Sequence, residues 1–387
     1  MSDFPESWQL STLADVGEWK GGGTPSKAKP AYWKGEIPWV SPKDMKSDII
    51  RFSEDSINEI AISESSASLI PAGAILVVTR SGILRHTLPL AVAGRNLAIN
   101  QDLKAITVRP GIENSYVFQY MKSNSQDILD SCMKSGTTVE SIETSQLKNF
   151  PIPIPPLPEQ KKIAEILSGI DQELDRCNDC LSRTNLLRTS LLKCMMKDAE
   201  EHSINHPLGN IVEVINGRAY KLTEWENEGT PVIRLQNLTK QGGNFYYSNL
   251  RLPEKQYCNK GDLLFMWSAS FGPHIWWGDK AIYHYHIWKM VPRGDSILKN
   301  YLYLYLQYKT EEWKSQGSGM AMIHLTKEGI EKEVVPLPSA TAQEKVVYMM
   351  KSIDKRITAL KKKAGKYSLL KNAMSSDLLS GRKRVSV

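Results

Sequence analysis

Residues 153–174, PIPPLPEQKKIAEILSGIDQEL, align without a gap onto residues 336–357, PLPSATAQEKVVYMMKSIDKRI, at an offset of 183. Backwards from there Ile142 and Leu147 fall on Leu325 and Ile330. Further upstream Lys104 meets Lys289 at an offset of 185 and Gly73 meets Gly261 at an offset of 188, so loops have changed length. A repeat of this size is a duplicated domain, not a solenoid unit. Helical parts that match and upstream parts that drift predict one scaffold used twice to present two surfaces.

Each half reads as a globular segment, a Pro-rich stop and a long helix. Residues 150–160 (FPIPIPPLPEQ) and 334–344 (VVPLPSATAQE) are excluded from helix interiors, because proline lacks the amide donor and clashes with the preceding turn. Beyond them Ile163, Leu167, Ile170, Leu174, Cys177 and Leu181 recur at alternating spacings of four and three. The second copy gives Val346, Met350, Ile353, Ile357, Leu360 and Ala364. That a/d seam predicts an antiparallel coiled-coil pair of helices, each spanning roughly 57 Å over ~38 residues, with a globular half at either end. The alternative is that each helix packs on its own globular half. After the seam the phase is expected to shift to Leu187, Leu191 and Cys194, and to Leu370 and Met374.

The globular halves read as mixed α and β. Strands are expected at Ile37–Val40, Ala74–Val78, Thr230–Ile233 and Leu263–Trp267, the second and fourth following Gly-containing turns; matched helices are expected at Tyr116–Leu129 and Tyr301–Trp313. The predicted fold class is α+β, with domains at 1–155 and 201–340 and helical segments at 156–200 and 341–387.

The 387 residues carry a net charge of +7, and it is not spread evenly. Lys+Arg minus Asp+Glu is −2 over residues 1–155, −1 over 156–200, +1 over 201–340 and +9 over 341–387. A basic stripe at the end suits nucleic acid phosphates or an acidic partner. Apolar runs such as Leu263–Trp267 and Tyr301–Leu306 are far shorter than a membrane span. The acidic opening MSDFPESWQL lacks a signal-peptide layout, and five cysteines fit a reducing compartment. Together these predict a cytoplasmic protein.

Two variable domains, each followed by a Pro-Leu-Pro stretch and a long helix, resemble the specificity (S) subunit of type I restriction-modification enzymes. The motifs are PIPPLPEQKKIAEIL at 153–167, PLPSATAQEKVV at 336–347 and LLSGRKRV at 378–385. To these the first half adds GGGTPSK at 21–27, YWKGEIPWVSPKDM at 32–45 and NQDLKAI at 100–106. The second half departs from them, with Gly217-Arg218-Ala219-Tyr220 and Tyr285-His286-Ile287 instead. The resemblance implies a subunit without catalysis of its own, whose two target-recognition domains each read half of a bipartite asymmetric DNA target. Its helices would dock two methyltransferase subunits, which carry S-adenosylmethionine for adenine N6 methylation; motor-nuclease (restriction) subunits would join for cleavage.

Base readout needs Arg, Lys, Asn, Gln and Ser/Thr at groove edges, while phosphate contacts are blind to sequence. The candidates in the first half are Thr24, Ser26, Lys27, Lys43, Arg80, Ser81, Arg85, His86, Asn100 and Gln101. In the second they are Arg218, Tyr220, Lys221, Arg234, Gln236, Asn237, Trp267, Ser268, Ser270 and His274. Tyr283-His284-Tyr285-His286 reads as an alternating strand facing a ligand surface rather than a metal site, Trp276-Trp277 as core and His324 as a surface residue. Cys177-x-x-Cys180 has no second pair to complete four zinc ligands. The competing function, a methyltransferase or nuclease, lacks its signature: neither an Asn/Asp-Pro-Pro-aromatic motif nor a Gly-rich cofactor loop is present, and Gly21-Gly22-Gly23 has no Gly-Lys-Ser/Thr ending.

Overall fold

The computed structural model describes residues 4–134, 138–239, 244–268, 271–316 and 325–386. The chain forms two compact units, Met1–Asn178 with Lys362–Val387 and Asp179–Lys361. Two long helices, Leu157–His202 and Ala340–Leu379, each lend one half to each unit. We call them the central and terminal helices. Among the described residues no helix is long and apolar enough to cross a membrane.

In the first unit a five-stranded sheet runs in the order Gly17–Gly21, Leu103–Val108, Ile75–Val78, Leu90–Ala93, Ile49–Ile50. A four-stranded sheet runs Asp55–Ile57, Ile37–Val40, Leu97–Ile99, Leu69–Ile70. The second unit repeats this strand order, with four strands in place of five in the larger sheet. One sheet runs Val212–Asn216, Ile287–Pro292, Leu263–Met266, Gly272–Ile275, and the other Tyr246–Ser248, Thr230–Ile233, Ala281–Tyr283, Tyr257–Cys258. The parallel pairs correspond residue by residue: Val40 beside Ile99, and Ile233 beside Tyr283. Gly73 and Gly261 open equivalent strands from turns at φ of +88° and +91°, a conformation that a side chain disfavours.

Strand register corrects one alignment made on sequence. Ala105 pairs with Leu76, and Lys289 with Leu264. With Gly73 on Gly261, Lys289 is therefore the counterpart of Ala105, and Trp288 that of Lys104. A slip of one residue turns every side chain to the other face of a strand. Ala105 and Lys289 are both buried, and the Lys289 ammonium is satisfied by the Tyr257 carbonyl at 2.6 Å. The helix expected over Tyr116–Leu129 is two, Asn114–Ser123 and Ser125–Cys132, broken where the Asn124 side chain bonds the Tyr120 carbonyl. Its counterpart is a single helix, Lys299–Gln316.

The Pro-rich links form short strands. Pro151–Ile154 pairs with Gln9–Thr12, and Val334–Leu337 with Ile204–Pro207, as two-stranded pieces where proline costs few ladder bonds. Each link is pinned twice by tyrosine hydroxyls: Tyr116 and Tyr120 donate to the Pro153 and Pro151 carbonyls, Tyr301 and Tyr305 to those of Pro336 and Val334. The glutamine kept in both copies explains itself here. The buried Gln160 accepts from the Glu113 amide at 2.8 Å and donates to the Pro155 carbonyl at 2.8 Å. Gln343 accepts from the Leu298 amide at 2.8 Å and donates to the carbonyls of Ser296 and Pro338. Where the second copy has Ala342 the first has Glu159, whose carboxylate takes the Trp8 indole N–H and a two-pronged bond from Arg384.

Within each unit the two helices run antiparallel, and both pack on the globular part as well. In the first unit Ile163, Ala164 and Leu167 share a core with Leu378, Leu379 and the sheet residues; in the second, Leu192 and Met196 share one with Val346, Val347 and Met350. Ile170, Leu174, Leu181, Ile353 and Leu360 are half-buried, and Cys177 and Ile357 buried, as a seam requires. The shifted part of the seam differs in part from expectation: Leu191 and Met374 are partly buried against the two cores, but Leu187 and Leu370 are 57% and 45% exposed, and Cys194 is also exposed. The inward positions between and beyond them are Thr184, Arg188, Leu192 and Met196, three steps of four in succession that rotate the face, followed by Ala199 three residues on.

The cause is a polar pair built into both copies. The Lys371 ammonium bonds the Asp171 carboxylate, and the Arg188 guanidinium bonds Asp354 at 2.5 Å, with each partner 183 residues from its counterpart. Gln119 donates to Asp171 at 2.9 Å, and Gln307 accepts from Arg188 at 3.1 Å. A polar pair of this kind, largely buried in the first unit and half-exposed in the second, fixes helix register. Burial pushes the Asp171 carboxyl up, but the bonds from Lys371 and Gln119 outweigh it and hold it below the usual carboxylate range. Burial lowers the Lys371 ammonium more than its carboxylate partner restores.

Candidate nucleic-acid interface

Four loops meet at one end of the first unit's sheets. Strand Gly17–Gly21 leads into Gly22-Gly23-Thr24, and Ile37–Val40 into a turn of 3₁₀ helix, Pro42–Asp44. Ile75–Val78 leads into Thr79-Arg80-Ser81, and Leu97–Ile99 turns through Asn100-Gln101-Asp102 into the next strand. Gly22 is required by closeness: a Cβ there would collide with the Ile99 and Asn100 carbonyls. The loops are stitched together. Thr24 donates to the Gln101 side chain at 2.5 Å, the Thr79 amide bonds the Asp102 carbonyl at 2.7 Å, and the Arg80 Nε lies 2.8 Å from the Asp102 carboxylate. Arg85 pairs with Glu140, whose carbonyl also takes the Ser81 amide. Thr79, Arg80, Gln101, Lys104, Lys134 and Ser141 line an open polar groove of about 590 Å³ beside this junction.

The structure thus brings Thr24, Arg80, Ser81, Arg85 and Gln101 together, with His86 exposed at the end of the same segment. Asn100 plays another part. It is buried, its amide group donates to Asp102 at 3.0 Å and its carbonyl oxygen accepts the Asp102 amide, so it shapes the turn instead of offering a free edge. Lys43 is exposed but held between Glu54 at 3.0 Å and Asp55 at 3.2 Å. Ser26 and Lys27 lie further along the first loop, where the Lys27 ammonium sits 5.9 Å from the Trp33 ring centre.

The second unit builds the same junction from different side chains. Gly217 stands where Gly22 does, again against a carbonyl (His284), and the Arg218 amide reaches the Tyr283 carbonyl as Gly23 reaches that of Ile99. Arg234 to Asn237 replaces Ser41 to Asp44, both with the same side-chain-to-backbone closure at the helix start. The Trp267 amide bonds the His286 carbonyl at 3.2 Å, as Thr79 bonds Asp102. Tyr283-His284-Tyr285-His286 is therefore not an alternating strand. Ala281–Tyr283 is strand, and His284 to His286 is the turn that corresponds to Asn100 to Asp102. The ladder ends there because the following residues double back to pair with Leu263–Met266.

Around that turn the side chains are aromatic. Rings of Trp267 and His286 lie 5.3 Å apart, Trp267 and Trp288 stack at 5.6 Å, and Tyr220, Trp225 and Tyr246 continue the array. The Arg234 guanidinium lies 4.0 Å over Tyr246 and donates to the Asn244 carbonyl, while Gln236 in its alternative amide orientation accepts from it. Arg218 makes a bidentate pair with Glu224, whose carboxylate also takes the Lys221 amide. Burial, then His286 and Arg234, lower the His284 imidazole to about 4, and burial lowers His286 as well. Both rings are therefore neutral at pH 7. Ser268 lies beside Trp267 and His274 on the adjacent strand Gly272–Ile275; Ser270 and His324 lie outside the described residues. Trp276 is core, but Trp277 is 69% exposed. The sequence sets Tyr285-His286-Ile287 against the Asn-Gln-Asp turn; strand register moves that match by one residue, so that Tyr285 and His286 stand where Gln101 and Asp102 do.

The chain belongs to the type I restriction modification DNA specificity domain family, whose sequence model matches residues 5–178 and 204–367. It is 42% identical over 181 residues to the specificity subunit of the EcoR124I/EcoR124II restriction enzyme of Escherichia coli. It is 22% identical over 420 residues to that of the MjaVIII enzyme of Methanocaldococcus jannaschii. The first match covers 46% of this chain and 45% of the relative, and the second 98% and 94%. A match to the MjaIX specificity subunit spans 59% of its length. The crystal structure of the S subunit from M. genitalium has the same fold, with a TM-score of 0.61 over 98% of this chain and 99% of that one at 16% identity.

Proposed function

We propose that this chain is the non-catalytic DNA specificity subunit of a type I restriction-modification complex. Each unit's four-loop junction reads one half of a bipartite asymmetric target in double-stranded DNA. One observation carries the reading: a single scaffold, equivalent down to its strand register, presents polar side chains at one junction and aromatic ones at the other. The partners are two methyltransferase subunits, which bring S-adenosylmethionine, and restriction subunits with the motor and nuclease. Their docking sites are the exposed pairs Leu186-Leu187 and Leu369-Leu370, 183 residues apart and 45–72% exposed. Repeated apolar pairs on a repeated scaffold suit a partner bound twice. The complex works in the cytoplasm, where its five cysteines remain thiols.

Affinity for DNA rests largely on phosphate neutralisation, and the junction cations are mostly spent: Lys43, Arg80, Arg85 and Arg218 all face carboxylates. The chain alone will therefore bind DNA weakly, and mixed with DNA and labelled S-adenosylmethionine it will transfer no label until methyltransferase subunits are added. Label transfer by the purified chain would identify it as an enzyme instead. Nanomolar, sequence-specific binding without partners would show that it grips DNA unaided.

A further inference from the structure

The turn His284-Tyr285-His286 occupies the place that Asn100-Gln101-Asp102 occupies in the first unit, and it is held as firmly. The Trp267 indole N–H donates to the Tyr285 carbonyl at 2.9 Å, the His284 amide to the Ile233 carbonyl at 2.9 Å, and the Ile287 amide to the His284 carbonyl at 2.9 Å. On this backbone Tyr285 is 41% exposed, with the rings of His286 at 3.9 Å and His284 at 4.4 Å from its own. Nearby, Trp288 stands where the first unit has Lys104, and the cations Arg218 and Arg234 are engaged by Glu224 and by Tyr246 with the Asn244 carbonyl. The first unit's cations are engaged too, Arg80 by Asp102 and Arg85 by Glu140, so the contrast lies in the tip itself, which there is the polar Gln101. The second unit's tip is aromatic.

We propose that Tyr285 is a specificity-determining residue, and that the second unit reads an apolar base edge where the first reads a polar one through Gln101. The apolar group that the major groove offers is the thymine C5-methyl, so the ligand chemistry assigned to this turn is a thymine in the second half-site. The inference rests on the reading of the chain as a specificity subunit. It differs from that reading in saying which residue discriminates, and by what contact.

The test uses the full chain assembled with its methyltransferase subunits. Methylated motifs are mapped for wild type, Tyr285→Ala, Tyr285→Phe and Gln101→Ala. Tyr285→Ala is expected to relax a T position in one half-site only, Tyr285→Phe to keep the wild-type motif, and Gln101→Ala to relax the other half-site. In duplexes carrying the mapped target, uracil in place of that thymine removes one methyl group. Methylation should slow about fourfold, the factor for losing one buried methyl, and the Tyr285→Ala complex should not distinguish the two duplexes. If Tyr285→Ala keeps the wild-type motif, or if uracil is methylated as fast as thymine at every position of that half-site, the inference is overturned while the specificity-subunit reading stands. If the wild-type complex methylates no bipartite motif, that reading falls first. A Tyr285→Ala complex that fails to assemble leaves the uracil comparison with wild type to decide.

Discussion

Asp171→Ala is expected to destabilise the chain by about 3 kcal/mol, because it strands the Lys371 ammonium at a largely buried site beside Lys122. Asp354→Ala should cost only about 1 kcal/mol, since its carboxylate is 47% exposed and water can solvate the guanidinium it leaves behind. Urea unfolding of the full chain measures both. Equal losses would mean that the two pairs do not differ in burial as described. The pH dependence has a definite sign. The Asp171 carboxyl is depressed in the folded state, so its contribution is complete above the ordinary carboxylate range, at about pH 4 and higher. It is lost as pH falls through the lower folded value. Wild type should therefore lose stability in acid more steeply than Asp171→Asn.

The second large effect concerns the helices. Inserting seven residues after Asn178 and seven after Lys361, where both helices pass from one unit to the other, adds about 10 Å of helix. Seven residues are nearly two full turns, so each seam returns to its face within ~20°. Methylation mapping should give two unchanged half-sites separated by a spacer up to about three base pairs longer, at ~3.4 Å per base pair. An unchanged spacer would mean that helix length does not set it.

How much of this was legible in the sequence follows from what each signal encodes. The repeat shows in PLPEQ and PLPSATAQE because the Pro-rich links and their glutamines have the same backbone groups to satisfy in both units. The early seam shows because apolar residues at alternating spacings leave a periodic trace. Its continuation shows only in Leu191 and Met374, because Arg188 and Lys371 face inward to carboxylates 166 and 200 residues away along the chain. A polar residue looks like a surface residue until its partner is known. The candidate interface was half visible. Arg80 follows the expected strand Ala74–Val78 and Gln101 belongs to a motif that carries the resemblance, whereas Tyr285 lies in what reads as a strand, and only the pairing of Ile287 with Met266 shows where the chain turns. Asn100 has a side chain suited to base edges, and its burial is a fact of three dimensions.

Exchange decides whether the repeated scaffold carries two independent readers. Residues 205–335 are replaced with the corresponding part of a relative, the chimera is assembled with the methyltransferase subunits, and its methylated motifs are mapped. One half-site is expected to change and the other to be retained. Both half-sites changing together, or neither, would contradict it.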